Sequence, residues 1–398
     1  MKEITEKLLE IESIKKYLEE KKIGPITILG LSDVSKSCIS EVIQESEKRP
    51  MLIVTYNELQ AQKLHKNIKQ INKNAIYIPK KDIITYEYDA QSMDILYSRI
   101  NTIISMYENQ SELVICSIET LMQRVLSKKD MKKSILNLRL ANEYNLEEIK
   151  QKLVDLGYER YDIVEGKGNF SVRGDILDIA LDSKKGVRIE FFGDEIDQIR
   201  YFEISSQRST ENINQIKIYP LTEEVVKEPD GSILEYLQED SLIVLDERNK
   251  IKLRSENILN DTKLAIEDLI ERNKNVPYIM QNMYDIEKIF TDIEKFIFIE
   301  LESQDIISKK ENVIVVSYED IQKIDDTFYK VTKQEKEKKP YVPRRGLSKD
   351  FREGEKVSFT DLKVRRLCCS QDDRYRTVYW SKYNKSRWNY KRLYQDKI

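Results

Sequence analysis

Two neighbouring stretches, residues 168–179 and 188–200, alternate apolar and polar side chains, which is the pattern of β-strands buried on one face. In the first stretch, four apolar residues are predicted to face a core: Phe170, Val172, Ile176 and Ile179. The break between the stretches, residues 181–186, is polar and ends in glycine, which is typical of a hairpin connection. We therefore predict an antiparallel strand pair at this point of the chain.

The polar face of this strand pair carries an unusual set of side chains. Arg173 precedes a Gly-Asp pair, and Arg188 shares a face of the partner strand with Glu190. Phe191 and Phe192 must point to opposite sides, so one of them is predicted to lie outside the core. An exposed aromatic residue between arginines has the composition of a protein-binding hot spot. A solvated face with cross-strand ion pairs is the alternative, and the pattern alone leaves both interpretations open.

Short apolar runs alternate with helical patterns elsewhere in the chain. These runs lie at residues 26–29, 51–55, 75–79, 113–117 and 241–247. Strands that alternate with helices predict a doubly wound, largely parallel sheet. The sequence thus predicts an α/β fold.

The first of these strands leads into a loop with the layout of a phosphate-binding P-loop. Gly30 opens the loop, and Lys36 and Ser37 precede a helix. Ser35 occupies the position before the lysine where a P-loop has glycine, and its side chain obstructs the backbone amides that close round a phosphate. Asp33 adds negative charge to the loop. We interpret the loop as degenerate and expect no nucleotide cofactor.

An acidic pair, Asp246 and Glu247, ends the last of the apolar strands. In a nucleotide-driven motor, such a pair holds magnesium. Without a working phosphate loop the pair has no metal-bound nucleotide to act on, so we interpret it as a relic. We predict no metal site and no catalytic residue.

The composition narrows the class of protein. Among 398 residues, 67 are basic and 70 are acidic, so the net charge of -3 gives no global bias towards nucleic acid. No apolar run approaches the roughly 20 residues of a membrane helix, and the first residues lack a signal-peptide core. The 4 cysteines have neither disulfide nor zinc spacing. We predict a reduced, cytoplasmic protein without membrane contact.

The strand pair resembles the N-terminal module of bacterial transcription-repair coupling factors, a module that the excinuclease protein UvrB shares. The resemblance rests on Gly-x-Phe-x-x-Arg-Gly-x-x-x-Asp-Ile at 168–179, on Arg-x-Glu-Phe-Phe-Gly-Asp-Glu-Ile-x-x-Ile-Arg at 188–200, and on Gln-Arg-Ser at 207–209. It implies a degenerate RecA-like or helicase-like sheet domain and an inserted α+β domain that docks on the excinuclease protein UvrA. By matching position, the implied contact residues are Arg173, Arg188 and Phe192, with Asp194 and Glu195 shaping the same face.

The resemblance and the composition together predict the domain organisation. Lysines at 128–133 mark the expected hinge into the inserted domain, and prolines and a glycine at 340–346 mark a disordered linker. The predicted parts are the sheet domain in two halves, 1–130 and 212–275, the inserted domain 131–211, a small partial α/β segment 276–332, a linker 333–363 and a tail 364–398.

The tail departs from the pattern of the preceding chain. Residues 357–364 fit the start of the family's RNA-polymerase-interacting domain, which continues roughly Gly-Asp-Tyr-Val-Val-His. Residues 365–370 read Arg-Arg-Leu-Cys-Cys-Ser, and one permitted set of codons for them, read one base later, encodes Gly-Asp-Tyr-Val-Val. We therefore hypothesise out-of-frame translation near Val364. The polymerase-binding domain and the DNA-translocating motor would then be absent, and the tail would be disordered.

The resemblance implies a non-catalytic scaffold that recruits UvrA to stalled transcription in nucleotide excision repair. RNA polymerase and DNA would be partners only in the context of the full-length family. Two alternatives stay open. One is a nucleotide-dependent DNA translocase or remodeller that uses Lys36, Ser37, Asp246 and Glu247. The other is a DNA-binding module, supported by the basic tail and by a tyrosine-rich loop at residues 86–92.

Overall fold

A computed structural model of the protein describes residues 3, 4, 6, 26–81, 93–303, 313–338, 368–369 and 375–376. The tyrosine-rich loop at 86–92 lies outside the described residues, and so do residues 339–363 of the predicted linker and nearly all of the tail. The hypothesis of out-of-frame translation therefore stays a prediction.

The first part of the chain alternates strands with helices, as the sequence predicts. Its elements are β1 (Ile26–Leu29), α1 (Asp33–Glu47), β2 (Met51–Thr55), α2 (Glu58–Ile71), β3 (Ile76–Tyr77), α3 (Met93–Tyr107), β4 (Leu113–Ser117) and α4 (Ile118–Leu121). Side chains that precede α1, α2 and α4 cap these helices by accepting a hydrogen bond from a backbone N–H of the first turn. They are Ser32, Asn57 and Ser117.

The next part of the chain leaves this sheet and forms a second, mainly antiparallel one. Its elements are α5 (Lys128–Ser134), β5 (Leu136–Arg139), α6 (Leu146–Asp155), β6 (Glu159–Arg160), β7 (Asn169–Arg173), β8 (Ile176–Ala180), β9 (Lys185–Phe192), β10 (Glu195–Glu203), β11 (Ser209–Asn212) and β12 (Gln215–Ile218). The predicted lysine-rich hinge is the short helix α5.

The chain then returns to the first sheet. Two short 3-10 helices, Glu223–Val225 and Ile233–Tyr236, come first. They are followed by β13 (Leu242–Asp246), α7 (Arg248–Glu271), α8 (Tyr278–Gln281), α9 (Ile286–Ile293), β14 (Ile297–Leu301), β15 (Val313–Val315) and α10 (Tyr318–Lys338). In the tail, β16 (Cys368–Cys369) pairs with β17 (Tyr375–Arg376) in an antiparallel ladder.

The first sheet is doubly wound, which confirms the predicted fold class. Its seven strands are all paired in parallel, in the order β15-β1-β14-β13-β2-β4-β3. Because successive side chains of a strand point to opposite faces, β2 sends Ile53 to one face and Leu52 to the other. Ile53 belongs to a core cluster with residues of α1, α2 and α10. Leu52 belongs to a second cluster with residues of α3, α4, α7 and α9. The sheet is therefore covered by helices on both sides.

The structure corrects the prediction of a separate segment at 276–332. Its strands β14 and β15 belong to the seven-stranded sheet, where β1 lies between them. Ile299 of β14 pairs with Ile26 on one side and with Val244 on the other. Side chains of β14 pack in both core clusters, which is the environment of a central strand. Helix α10 continues to Lys338, beyond the predicted start of the linker at residue 333.

The inserted domain is built on a six-stranded sheet in the order β11-β10-β9-β8-β7-β6. One face of this sheet packs on α6 in a single apolar cluster. A separate ladder pairs β5 with β12, so that the first and last strands of the domain lie side by side. Ile218 and Leu221 are buried in the same cluster. The inserted domain thus continues beyond residue 211, where we predicted its end.

A buried ion pair joins the two domains where the chain leaves the inserted one. The Nε of Arg99 in α3 donates to Glu223 at 2.6 Å, and both side chains are buried. The Nη1 of the same guanidinium donates to the carbonyl oxygen of Pro79 at 2.7 Å. On the same helix, Tyr97 packs against the apolar cluster of the inserted domain. Helix α3 is therefore shared by the cores of both domains.

We expect Glu223→Ala to lower the free energy of unfolding by about 3–5 kcal/mol, because it leaves the Arg99 guanidinium buried without its carboxylate. The matched control is Glu224→Ala, whose ion pair with Lys81 is far more exposed, and whose cost should be about 0–1 kcal/mol. Urea unfolding followed by far-UV circular dichroism measures both. Equal effects of the two variants would contradict the role assigned to Arg99.

Candidate functional site

The sheet of the inserted domain has one face that α6 does not cover. Ladder registers place Arg173 opposite Ile176, Ile176 opposite Glu190, and Glu190 opposite Gln198. The neighbouring row contains Asp178, Arg188 and Arg200. Residues opposite each other in a ladder point to the same side. We call this surface the open face, and its residues are Arg173, Ile176, Asp178, Arg188, Glu190, Phe192, Gln198 and Arg200.

One end of this side of the sheet is covered. Val164, Ala180, Phe202 and Ile204 form a small buried cluster there. Ile176 lies on the open face and is half-buried, although we predicted it in the core. The two-residue Gly-Asp turn between β7 and β8 places Ile176 opposite Arg173, so that Leu177 and Ile179 take the core positions.

Arg188 is held from two sides on the open face. Its Nε and Nη2 donate to the two carboxylate oxygens of Asp178, at 2.7 and 2.8 Å. The guanidinium carbon lies 5.1 Å from the centre of the Phe202 ring. The hydrogen bonds to Asp178 raise the pKa of Arg188, so the guanidinium is charged at every physiological pH. Its side chain is 17% exposed.

The other two arginines of the open face differ in how tightly they are held. Arg173 reaches Asp178 through Nη2 at 3.4 Å, and its side chain is 54% exposed. Arg200 forms an ion pair with Glu190 and donates from Nη1 to Gln198 at 2.9 Å. Three arginines thus face two carboxylates, and Arg173 is the cation with the most access to solvent.

Phe192 is the most exposed apolar side chain of the inserted domain's described residues, at 83%. Phe191 is buried, which confirms that one of the two lies outside the core. Phe192 ends β9, and a two-residue turn of Gly193, at φ 65°, and Asp194 leads to Glu195 directly opposite. Asp194 and Glu195 are exposed beside the ring. The turn itself is fixed, because the Asp194 carbonyl oxygen accepts a bond of 2.7 Å from the Tyr144 N–H.

The open face has features of both interpretations made from the sequence, a solvated face with ion pairs and a protein-binding surface. Arg188 and Arg200 form the cross-strand ion pairs of the solvated-face interpretation. Arg173 and Phe192 remain exposed, as a binding surface requires. Asp178 is the acidic residue of the motif at 168–179, but no role was assigned to it from the sequence, although an acid within the apolar strand Ile-Leu-Asp-Ile-Ala was a visible signal.

The P-loop-like region forms a closed ionic cluster. Lys36 is 1% exposed, and its Nζ donates to Asp246 at 2.6 Å and to Glu247 at 2.7 Å. In a working P-loop the lysine reaches the phosphates, whereas here it is bound by the acidic pair itself. Burial lowers the pKa of Lys36, but the two carboxylates outweigh it and hold the pKa above its ordinary value. The ammonium group is therefore fully charged at neutral pH.

The remaining polar groups of the loop are also bound within the protein. The hydroxyls of Ser32 and Ser35 donate to the carboxylate of Asp325 in α10, at 2.8 and 2.7 Å. The Ser37 hydroxyl donates to the Asp33 carbonyl oxygen at 2.8 Å. Gly30 has φ of 87°, and a Cβ there would lie 2.9 Å from the Val316 carbonyl oxygen. A carboxylate of the chain itself thus binds the hydroxyls of the loop.

The two acids of the cluster have opposite net pKa shifts. Burial raises the pKa of Asp246, and the bonds from Lys36 offset this only in part. Burial acts in the same direction on Glu247, but hydrogen bonds from Lys36 and from the Ser303 N–H outweigh it and lower the pKa to about 2. Among the described residues, no group of three or more His, Cys, Asp or Glu side chains is arranged to hold a metal ion. In that same part of the chain, no helix is both long and apolar enough to cross a membrane.

The sequence of this chain is similar to those of known proteins. The profile of the UvrB interaction domain matches residues 136–223, the range that contains the six-stranded sheet and the β5–β12 ladder. The transcription-repair-coupling factor of Staphylococcus haemolyticus (strain JCSC1435) is 27% identical over 306 residues, 62% of this chain and 26% of that protein. That of Staphylococcus aureus (strain bovine RF122 / ET3-1) is 27% identical over 330 residues, 68% of this chain and 28% of that protein.

These similarities confirm the resemblance seen in the sequence. The chain carries a UvrB interaction domain, and the module around it is similar to the N-terminal module of transcription-repair-coupling factors. The chain spans about a quarter of the length of the curated relatives it matches.

We expect Lys36→Ala to destabilise the protein by about 3–5 kcal/mol, because it leaves two buried carboxylates without their cation. The control is Lys63→Ala, since Lys63 forms an exposed ion pair with Asp33 of the same loop, and its loss should cost about 0–1 kcal/mol. Urea unfolding at neutral pH compares the two. A Lys36→Ala protein as stable as the control would contradict the closed ionic cluster.

The lowered pKa of Glu247 predicts a pH dependence. A carboxyl whose pKa falls from 4.5 to about 2 on folding stabilises the protein fully above pH 4.5. This contribution is lost as the pH falls from 4.5 towards 2. In Glu247→Gln, the decline of the free energy of unfolding across this window should therefore be shallower, as measured by urea unfolding at several pH values. Glu267→Gln, an exposed change on α7, should keep the wild-type slope, and the same slope in both variants would disprove the assignment.

Proposed function

We propose that this chain, which carries a UvrB interaction domain, is a non-catalytic scaffold that binds the excinuclease protein UvrA through the open face. Its role would be to bring UvrA to stalled transcription in nucleotide excision repair. The observation that carries the proposal is the exposed Phe192 on the same sheet face as Arg173 and Arg188. The match to the UvrB interaction domain spans all three residues.

The energetics of binding favour this surface. Hot spots are rich in aromatic and arginine side chains that become desolvated at the centre of an interface. Phe192 has most of its surface left to bury, so its contact with a partner gains apolar burial that the free protein does not have. Arg173 has exposed donors for a carboxylate of the partner. Val154 is also exposed, but it lies on α6, which packs on the other face of the sheet.

The surface predicts the chemistry of its partner. An apolar pocket would receive Phe192, and at least one carboxylate would pair with Arg173. Asp194 and Glu195 lie at the hairpin turn beside the ring, so a basic group of the partner would fit there. Complementary charges of this kind set the orientation of docking and suppress wrong partners.

The closed ionic cluster argues against the alternative of a nucleotide-driven remodeller. Binding a nucleotide would require Lys36 to leave Asp246 and Glu247, and this would strand two buried carboxylates. It would also require the Asp325 carboxylate to leave the serine hydroxyls. The DNA-binding alternative depends on the tail and on the loop at 86–92, and no contact of the described residues favours it. Contacts with RNA polymerase or DNA belong, in this proposal, to parts of the relatives that this chain does not match.

We expect Arg173→Ala, Arg188→Ala and Phe192→Ala each to weaken binding of purified UvrA to the 398-residue chain by about 1–3 kcal/mol, because each removes a hot-spot contact. Biolayer interferometry with the immobilised chain gives the dissociation constants.

Two variants control for charge and for apolar area. Arg139→Ala removes an exposed arginine from β5, and Val154→Ala truncates an exposed apolar side chain on α6, both outside the open face. Both should bind UvrA like the wild type. A wild-type chain that does not bind UvrA would refute the proposed function. If all three open-face variants bind UvrA like the wild type, those residues form a solvated surface and not the binding site.

A further inference from the structure

Asp178 is a nearly fully buried carboxylate within a surface that otherwise faces solvent. It lies at the centre of β8 and is 1% exposed. Both of its oxygens accept hydrogen bonds from Arg188, and Oδ2 also lies 3.4 Å from the Nη2 of Arg173. One carboxylate is thus the common partner of two of the three residues that we place in the interface.

The two hydrogen bonds of the Arg188–Asp178 pair fix the orientation of the guanidinium as well as its distance from the carboxylate. Two parallel N–H to oxygen bonds define the plane of the guanidinium as well as its position. A free arginine side chain samples many rotamers, and a partner has to order it on binding. Because Asp178 has already ordered Arg188 in the free protein, that part of the ordering cost is absent when a partner binds.

A second contact holds Arg188 from its other side. The Phe202 ring lies beneath the guanidinium, at 5.1 Å from centre to carbon. The ring can take this place because residue 186 on the neighbouring strand is glycine, where a Cβ would overlap the ring. Phe202 is in turn buried with Val164, Ala180 and Ile204. Arg188 is therefore positioned by a carboxylate at its edge and an aromatic ring at its face.

The pair leaves part of the guanidinium for a partner. The bonds to Asp178 use Nε and Nη2, and within the described part of the chain Nη1 donates no hydrogen bond. Among the described residues, Arg173 is held by the longer contact alone, and it remains mostly exposed. The open face therefore presents one ordered donor and one adaptable donor to the same side.

We propose that Asp178 is the positioning residue of the open face, which orders Arg188 for a carboxylate of the bound partner while it remains out of contact with that partner. This inference rests on the proposed binding of UvrA. It assigns to Asp178 an effect on affinity that passes through Arg188. A carboxylate that served only the stability of the sheet would have no such dependence.

The test is a double-mutant cycle on binding of purified UvrA to the whole chain. Asp178→Asn keeps the shape of the side chain but removes its charge and one acceptor oxygen, so it should weaken binding about tenfold. In the Arg188→Ala background the same change should alter the dissociation constant by less than about twofold, because the residue on which Asp178 acts is already missing. Glu148→Gln is the matched loss of a carboxylate, since Glu148 is exposed on α6 at the other face of the sheet. It should leave binding unchanged.

An NMR measurement follows the pair in the absence of the partner. The Nε–H of Arg188 donates to Asp178 in the wild type, so its proton should exchange slowly with water and give a resolved signal. Asp178→Asn should speed this exchange. If Asp178 served only general stability, Asp178→Asn would lower the midpoint of unfolding and would change the signals of many residues, not that of Arg188 alone.

Each outcome decides between the two proposals. If the wild-type chain fails to bind UvrA, the proposed function fails and this inference fails with it. If Arg188→Ala weakens binding but Asp178→Asn does not, the positioning role alone is wrong. Equal effects of Asp178→Asn with and without Arg188 would overturn it as well. Should Asp178→Asn fail to fold, Asp178→Glu replaces it. Its carboxylate is displaced by one methylene and shifts Arg188, so affinity should fall although both charges remain, and wild-type affinity would overturn the inference.

Discussion

The ammonium group of Lys36 is bound inside the protein by Asp246 and Glu247, and this interaction determines what the seven-stranded sheet can do. Ligands of open α/β sheets bind at the carboxyl ends of the strands. Here that edge is occupied by charges of the chain itself, and a carboxylate of α10 occupies the loop beside it. Because separating a buried ion pair costs several kcal/mol, the edge is stable as a closed structure. In the function proposed above, the sheet domain would serve as a rigid support.

The inserted domain uses its charges in the opposite way. Its sheet is covered by α6 on one face only, so the side chains of the other face must be compatible with water. Ion pairs meet this requirement for Arg188 and Arg200. The apolar ring of Phe192 does not meet this requirement, and no apolar cluster of the described residues includes it. A single exposed ring is common on protein surfaces, but a ring on the same sheet face as ordered arginines has the composition of an interface.

Local alternation in the sequence predicted one strand at 168–179 and one at 188–200, but each stretch is a hairpin of two strands, because Gly174-Asp175 and Gly193-Asp194 form turns within them. The alternation did predict the exposed position of one phenylalanine. Val187, Ile189 and Phe191 occupy alternate positions, so the next residue, Phe192, has to face outward. Ile176 was misplaced because it lies three residues from Ile179, and residues three apart cannot share a face of one strand. The contact of Ser35 with Asp325 could not be predicted, since it joins positions 290 residues apart. The place of β14 in the sheet depends on the same kind of long-range pairing, which local patterns do not encode.

The connection between the two domains decides how the open face is presented. Gly168, at the start of β7, has φ of 89°, and a Cβ there would lie 3.0 Å from Leu221 and 3.6 Å from the Tyr97 hydroxyl. Tyr97 is on α3, the helix whose Arg99 is bound to Glu223. The strand that carries Arg173 thus begins in direct contact with the shared helix, without an intervening flexible link. Since a rigid surface loses less conformational freedom on binding than a mobile one, the buried ion pair at the domain boundary and the carboxylate beneath Arg188 act in the same direction. Both reduce the ordering that a partner has to impose.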